Sequence, residues 1–409
     1  MSRNIIQKEG RRWTDSGIIT PAQLEQILGL YPDKKHAIGL IPILGSILVG
    51  LGILSFMAAN WQDIPQLLRL LMIIALLAGF YWGGERMLSR DHEKLGIALI
   101  SLGLVSFGAG IILIAQMFHL QAYDAFSWIV WGTAGMLLTY LYRSRYLYMI
   151  SLLLFSIAQL YSISQFQEFS YTTLVIVLAG LGYFTWKRKD ALLAWLLCIS
   201  LIAQAIMLIS INDWKFLWVF IPIMLLYTLG DWIKNRDFAA PFQSAAWIAA
   251  YVFDLFIVYF AGKSNIFEHW QTMLAQSLPF ILISAVIFAV SMYLKAKAGR
   301  ASTGFEWIIM PLLLYVTEYV DVLYLFILFF FSLYILWRGY VEEWRFKINL
   351  GTVLFLLITM TAYGKLAWNF MDKSFFFIIG GILLLTLSWF LGRRRKQFLN
   401  DSKEGTNHA

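Results

Sequence analysis

Charge is scarce in this sequence. Of its 409 residues only 14% are charged while 60% are hydrophobic, and the mean hydropathy is +0.70. A soluble domain carries about 25% charged residues, so this chain has too little polar surface to fold in water alone. Cysteine is scarcer still. Cys198 stands alone inside an apolar run, which excludes an intrachain disulfide and a thiolate metal cluster within one chain. His36, His92, His119, His269 and His408 are scattered, with no second histidine at ligand spacing, so no metal is expected. A phosphate loop, a GxSxG elbow, an HExxH pair and paired intramembrane carboxylates are all absent. No cofactor is implied, and an enzyme is not favoured. The first 35 residues also lack the apolar core and small-residue cleavage site of a removed signal peptide.

What is present is a succession of apolar runs, each close to the roughly 20 residues that a helix needs to cross a bilayer. They do not alternate polar and apolar, as barrel strands would. The expected fold is therefore an all-α, polytopic bundle of about fourteen transmembrane helices, from 38–59 to 374–392. The short run at 305–317 is the least regular and has the length of a re-entrant segment. With the N-terminus inside, all of the 32 basic residues except Arg69, Lys215, Lys263, Lys365 and Lys373 fall in segments that read as cytoplasmic. Both termini are then cytoplasmic. The net charge of +8 is accounted for by orientation against anionic headgroups, and nucleic acid is not needed as a partner.

The chain divides into a cytoplasmic amphipathic head (1–37), a glycine-rich four-helix membrane core (38–145), further transmembrane helices (146–392) and a basic cytoplasmic tail (393–409). In the head, Thr20, Pro21 and Gln23 spell a helix start, with Thr20 as N-cap and Gln23 closing a capping box. The core carries an internal repeat. Gly45, Gly50 and Gly52 of its first helix match Gly103, Gly108 and Gly110 of its third at one constant offset. Both helices start inside, so the repeat is parallel. Lacking Cβ atoms, these stripes let membrane helices approach closely.

Each repeat ends outside in a polar and aromatic cluster: Asn60, Trp61 and Asp63 with Arg69 in the first, Gln116, His119 and Asp124 in the second. Asp63 and Arg69 are spaced to pair across a turn, and His119 sits where it would either titrate or cap a helix. The most conspicuous polar residue is Asp254, in the run AAYVFDLFIVYF. A carboxylate at such depth costs on the order of 2.5–3.5 kcal/mol, so it must face a cavity, pair, or take up a proton. It reads either as a proton- or cation-coupling site or as a structural carboxyl hydrogen-bonded to a neighbouring Tyr or Ser.

The stretches GLGILSFMAANWQDIP and GAGIILIAQMFHL, with Trp13, Gly17, Ile18 and Gln23 in the head, resemble an uncharacterised bacterial membrane family, domain of unknown function 2157. The resemblance spans residues 5–145 and implies a bacterial plasma membrane. It brings no activity, substrate or catalytic residue. Three functions compete on the residues alone. The first is a transporter or translocator of a small molecule or lipid-linked precursor. The second is a non-catalytic scaffold or sensor, whose head meets a cytoplasmic or membrane protein partner. The third is an intramembrane transferase acting on a lipid-linked substrate near His119.

Overall fold

The computed structural model describes residues 16–29, 65–260, 278–299, 301–310, 320–342 and 344–367, with isolated positions before residue 56 and at 378 and 382. Among them every regular element is a helix. In chain order these are α1 (Pro21–Gly29), α2 (Gln66–Leu88), α3 (Glu93–Met117), α4 (Phe126–Tyr142) and α5 (Arg145–Phe166). Next, α6 (Tyr171–Ile176) runs through a π-helical turn (Val177–Gly182) into α7 (Tyr183–Arg188), followed by α8 (Ala191–Ile211). Beyond a short 3-10 turn come α9 (Phe220–Trp232), α10 (Arg236–Phe260) and α11 (Leu278–Lys297). A 3-10 helix (Ala301–Ile309) then precedes α12 (Val320–Val341) and α13 (Arg345–Ala367). The chain forms two compact units, Met1–Ser162 and Ile163–Ala409.

Eight of these helices, α2, α3, α5, α8 and α10 to α13, are long and apolar enough to cross a membrane. The segment Leu217–Trp232, which ends in α9, is apolar but shorter. Their outward faces agree with that solvent. Leu67, Leu71 and Trp82 of α2, and Leu282 and Val286 of α11, are more than half exposed, a costly arrangement in water that lipid removes. Of the other runs read from the sequence, 38–59 and 374–392 lie almost wholly outside the described residues. The run at 171–186 is one helix with a π turn in its middle, and the described start of 305–317 belongs to a 3-10 helix.

Local chemistry sets the ends of the helices. In the head, Thr20 Oγ1 accepts from the Gln23 amide at 3.3 Å while Gln23 Oε1 accepts from the Thr20 amide at 2.9 Å; this reciprocal capping box starts α1. Asp190 and Ser170 cap α8 and α6 through the amides of Leu192 and Thr173. At their C-termini α3, α4, α5 and α7 stop at His119, Arg143, Gln167 and Lys189, each in the left-handed region at φ of 50–54°. That conformation turns the chain back within a few residues and favours antiparallel neighbours.

In the first unit α3 packs against α2 through its small residues. A Cβ added at Gly96 would meet the Gly84 carbonyl at 3.0 Å, one at Gly103 the Tyr81 ring at 3.0 Å, and one at Gly110 the Ile73 side chain at 2.9 Å. The Trp131 indole of α4 occupies the space beside Gly108 and donates to the Leu104 carbonyl at 2.8 Å. Nothing among the described residues lies within 4 Å of a Cβ built at Gly45 or Gly52, and Gly50 lies outside them. The two halves of the sequence repeat therefore cannot be matched contact by contact.

In the second unit the helix directions follow from side-chain contacts. Asp231, near the end of α9, meets Ser291 and Lys295 near the end of α11. Arg236, which opens α10, pairs with Glu342 just past α12. The ends of α9, α11 and α12 and the starts of α10 and α13 thus share one end of the unit. The connection between α11 and α12, which both run toward it, leaves from this end, and α12 starts about 33 Å away by its own length. The first part of the connection is the 3-10 helix, whose Trp307 and Ile309 are buried. Thr303 lies beside Lys295 and Trp307 beside Ser291, so this helix enters the unit along α11.

Candidate functional site

A network of charged side chains fills the shared end of the second unit. Lys295 is central and only 1% exposed. Its ammonium donates to the Tyr227 hydroxyl at 2.7 Å and to Thr303 Oγ1 at 2.8 Å, and it lies 3.3 Å from Asp231 Oδ1. Tyr227 passes the polarity on, donating to Glu306 Oε2 at 2.6 Å. Asp231 also accepts from Gln243 Nε2 at 2.8 Å and from Ser291 Oγ at 2.6 Å, and Ser291 in turn accepts from the Trp307 indole at 2.8 Å. Lys347, buried at the start of α13, bridges Glu306 at 3.9 Å and Glu342 at 3.2 Å. Glu342 also pairs with Arg236 and Arg338. Taking these charges out of water is costly unless each is paired and hydrogen-bonded, and Asp231, Glu306 and Lys295 satisfy that condition together.

This network is one wall of a cavity of about 900 Å³. Its lining includes the carboxylates of Asp231, Glu306 and Glu342 and five basic residues, Lys234, Arg236, Lys297, Arg338 and Lys347, with Ala239, Ala240 and Trp344 between them. The volume lies in the range of small-molecule sites. Polar groups come from α9, α10, α11, α12, α13 and the 3-10 helix, so movement of any of these elements would change the site's shape.

The residues singled out from the sequence are placed elsewhere. Asp254 is fully buried in α10, and among the described residues neither carboxyl oxygen has a hydrogen-bond partner. Among the described residues, the bond to a neighbouring Tyr or Ser that a structural carboxyl would make is not formed. The Tyr251 hydroxyl instead donates to the Leu354 carbonyl of α13 at 2.7 Å. The helix begins at Arg236, capped by Asn235 through the Asp237 amide, and keeps Pro241 inside it. That is six residues before the span read at 242–261, and Asp254 lies about 27 Å along the axis from Arg236. It does not line the cavity. Lys365, read as an outer loop charge, donates to the Val258 carbonyl at 2.8 Å near the same end of α10.

His119 and Gln116 are exposed at the end of α3. There the amides of His119 and Leu120 close a Schellman turn on the carbonyls of Gln116 and Ala115. Asp124 accepts from the Phe126 amide at 2.9 Å and so starts α4. Arg69 is half-buried in the first turn of α2. Asn60, Trp61 and Asp63 lie outside the described residues. The described members of this outer group belong to the first unit and the charge network to the second.

The network itself escaped the sequence reading. Lys295, Lys347, Arg236 and Arg338 counted there as cytoplasmic loop charges, and Asp231, Glu306 and Glu342 were passed over. A usable signal was present: Glu306 in GFEWIIM and Asp231 in LLYTLGDW are carboxylates inside apolar stretches, where a buried basic partner is needed.

Residues 11–148 match the family model described as "Predicted membrane protein (DUF2157)". That region carries the glycine-packed helices α2 to α4 and ends before the second unit begins. No curated protein and no solved structure matches the chain. The protein is a membrane protein with several apolar helices, and the charged cavity lies outside the part that the family model covers.

Proposed function

We propose that the chain is a transporter or translocator in a bacterial plasma membrane, and that the charged cavity is its solute site on the cytoplasmic side. The supporting observation is the cavity itself. It is a small-molecule-sized volume at the ends of membrane helices, beside a buried network built from six separate elements. The positive-inside pattern puts Lys234, Lys297 and Arg338 on the cytoplasmic side. The 3-10 helix also brings Glu306 to the network from outside the eight long apolar helices. The scaffold reading treats the same network as a fixed clamp, since each carboxylate in it already has partners.

Alternating access separates the two. Cys198 is the sole cysteine and is buried, so Cys198→Ser gives a background in which one reporter can be placed. Ala240→Cys, partly exposed in the lining, should react with a membrane-impermeant maleimide in inside-out vesicles and also, in a fraction of molecules, in intact spheroplasts. Reaction from the cytoplasmic side alone would favour the clamp. Reaction from neither side would remove the cavity as a solute site.

A further inference from the structure

The cavity's charges are unevenly committed. Asp231, Glu306 and Glu342 are each held by at least two internal donors or cations. Two of the cations are not. Lys234 and Lys297, exposed on the lining, form no ion pair among the described residues. Arg338 pairs with Glu342 through one terminal nitrogen, and its Nε is fully buried and so out of a solute's reach. Among the described residues every lining carboxylate is thus paired from within, and the charges left uncommitted are the two lysine ammonium groups.

We propose that the cavity is an anion site, taking a small solute that bears a phosphate or carboxylate group, with Lys234 and Lys297 as its uncommitted donors. The proposal rests on reading the cavity as a solute site and adds the class of solute. Two ammonium groups suit an oxyanion, which accepts several charge-assisted hydrogen bonds at once. A cationic solute would find each carboxylate already occupied. The headgroup of an anionic lipid and a soluble phosphate ester carry the same recognisable group, and the test separates them.

Ala240→Cys in the Cys198→Ser background places a thiol on the lining. Its reaction rates with an anionic and a cationic methanethiosulfonate reagent, each divided by the rate for a free thiol, report the potential in the cavity. The anionic reagent should be favoured about tenfold, the scale on which a charged cleft concentrates counter-ions. Lys234→Gln with Lys297→Gln should bring the ratio close to one. Protection by inorganic pyrophosphate would identify a soluble anion. Protection that instead requires phosphatidylglycerol nanodiscs, and is absent in phosphatidylcholine, would identify a headgroup. A ratio at or below that of the free thiol, or protection by neither probe, would overturn the proposal. Outer-side maleimide labelling of Ala240→Cys would then still stand or fall separately, because it reads access and not charge.

Discussion

Replacing Lys295 by methionine is expected to destabilise the folded chain by about 3–5 kcal/mol, the usual loss when one partner of a buried ion pair is removed. The ammonium is 1% exposed and answers two carboxylates, Asp231 at 3.3 Å and Glu306 at 4.0 Å. Without it these acids face each other across Tyr227, with hydroxyl and amide donors but less positive charge. Methionine matches the length of the apolar stem, so the loss reports charge and not volume. Heating the detergent-purified protein and measuring what remains monodisperse by size-exclusion chromatography gives the comparison. Adding Asp231→Asn and Glu306→Gln to Lys295→Met should recover much of the loss, because neutral groups need no counter-charge. A single variant as stable as the wild type would mean that Lys295 does not hold the network together.

Asp254 should behave in the opposite way. Its carboxyl is fully buried with both oxygens unpartnered among the described residues. A buried polar group left without a hydrogen bond costs about 1–3 kcal/mol, so Asp254→Leu is expected to stabilise the fold by a similar amount. If Asp254 couples transport to a proton or cation, the same variant also abolishes that movement, and Asp254→Asn abolishes it with little change in stability. A gain in stability with unchanged growth of cells that depend on the protein would leave Asp254 a structural liability only. A marked loss of stability would mean that the carboxyl has a partner, and its coupling role would lose its physical basis.

How far the sequence anticipates this structure depends on the range of the interaction involved. Short-range chemistry reads well: the Thr20–Gln23 capping box is visible as four consecutive residues and is formed as written. Apolar runs locate α2, α3, α5 and α8, because lipid imposes length and polarity on each helix separately. The charge network does not read this way. Its members are separated by up to 120 positions and come together only through helix packing, so Lys295 and Lys347 look like loop charges although both are buried. The 3-10 helix at Ala301–Ile309 was equally illegible as such, since apolar content gives no sign of which backbone bond will form. In the outer group the local environment decided instead: His119 and Asp124 serve turns at the ends of α3 and α4.

The central claim is that the charged end of the second unit lies in the cytoplasm, where a solute could enter, and its most direct test is topology. A reporter active only in the cytoplasm should work when fused after Lys189, Arg300 or Arg395 and should fail after Asp213 or Lys263. Activity after Asp213 together with silence after Arg300 would place the network on the outer face and contradict the account.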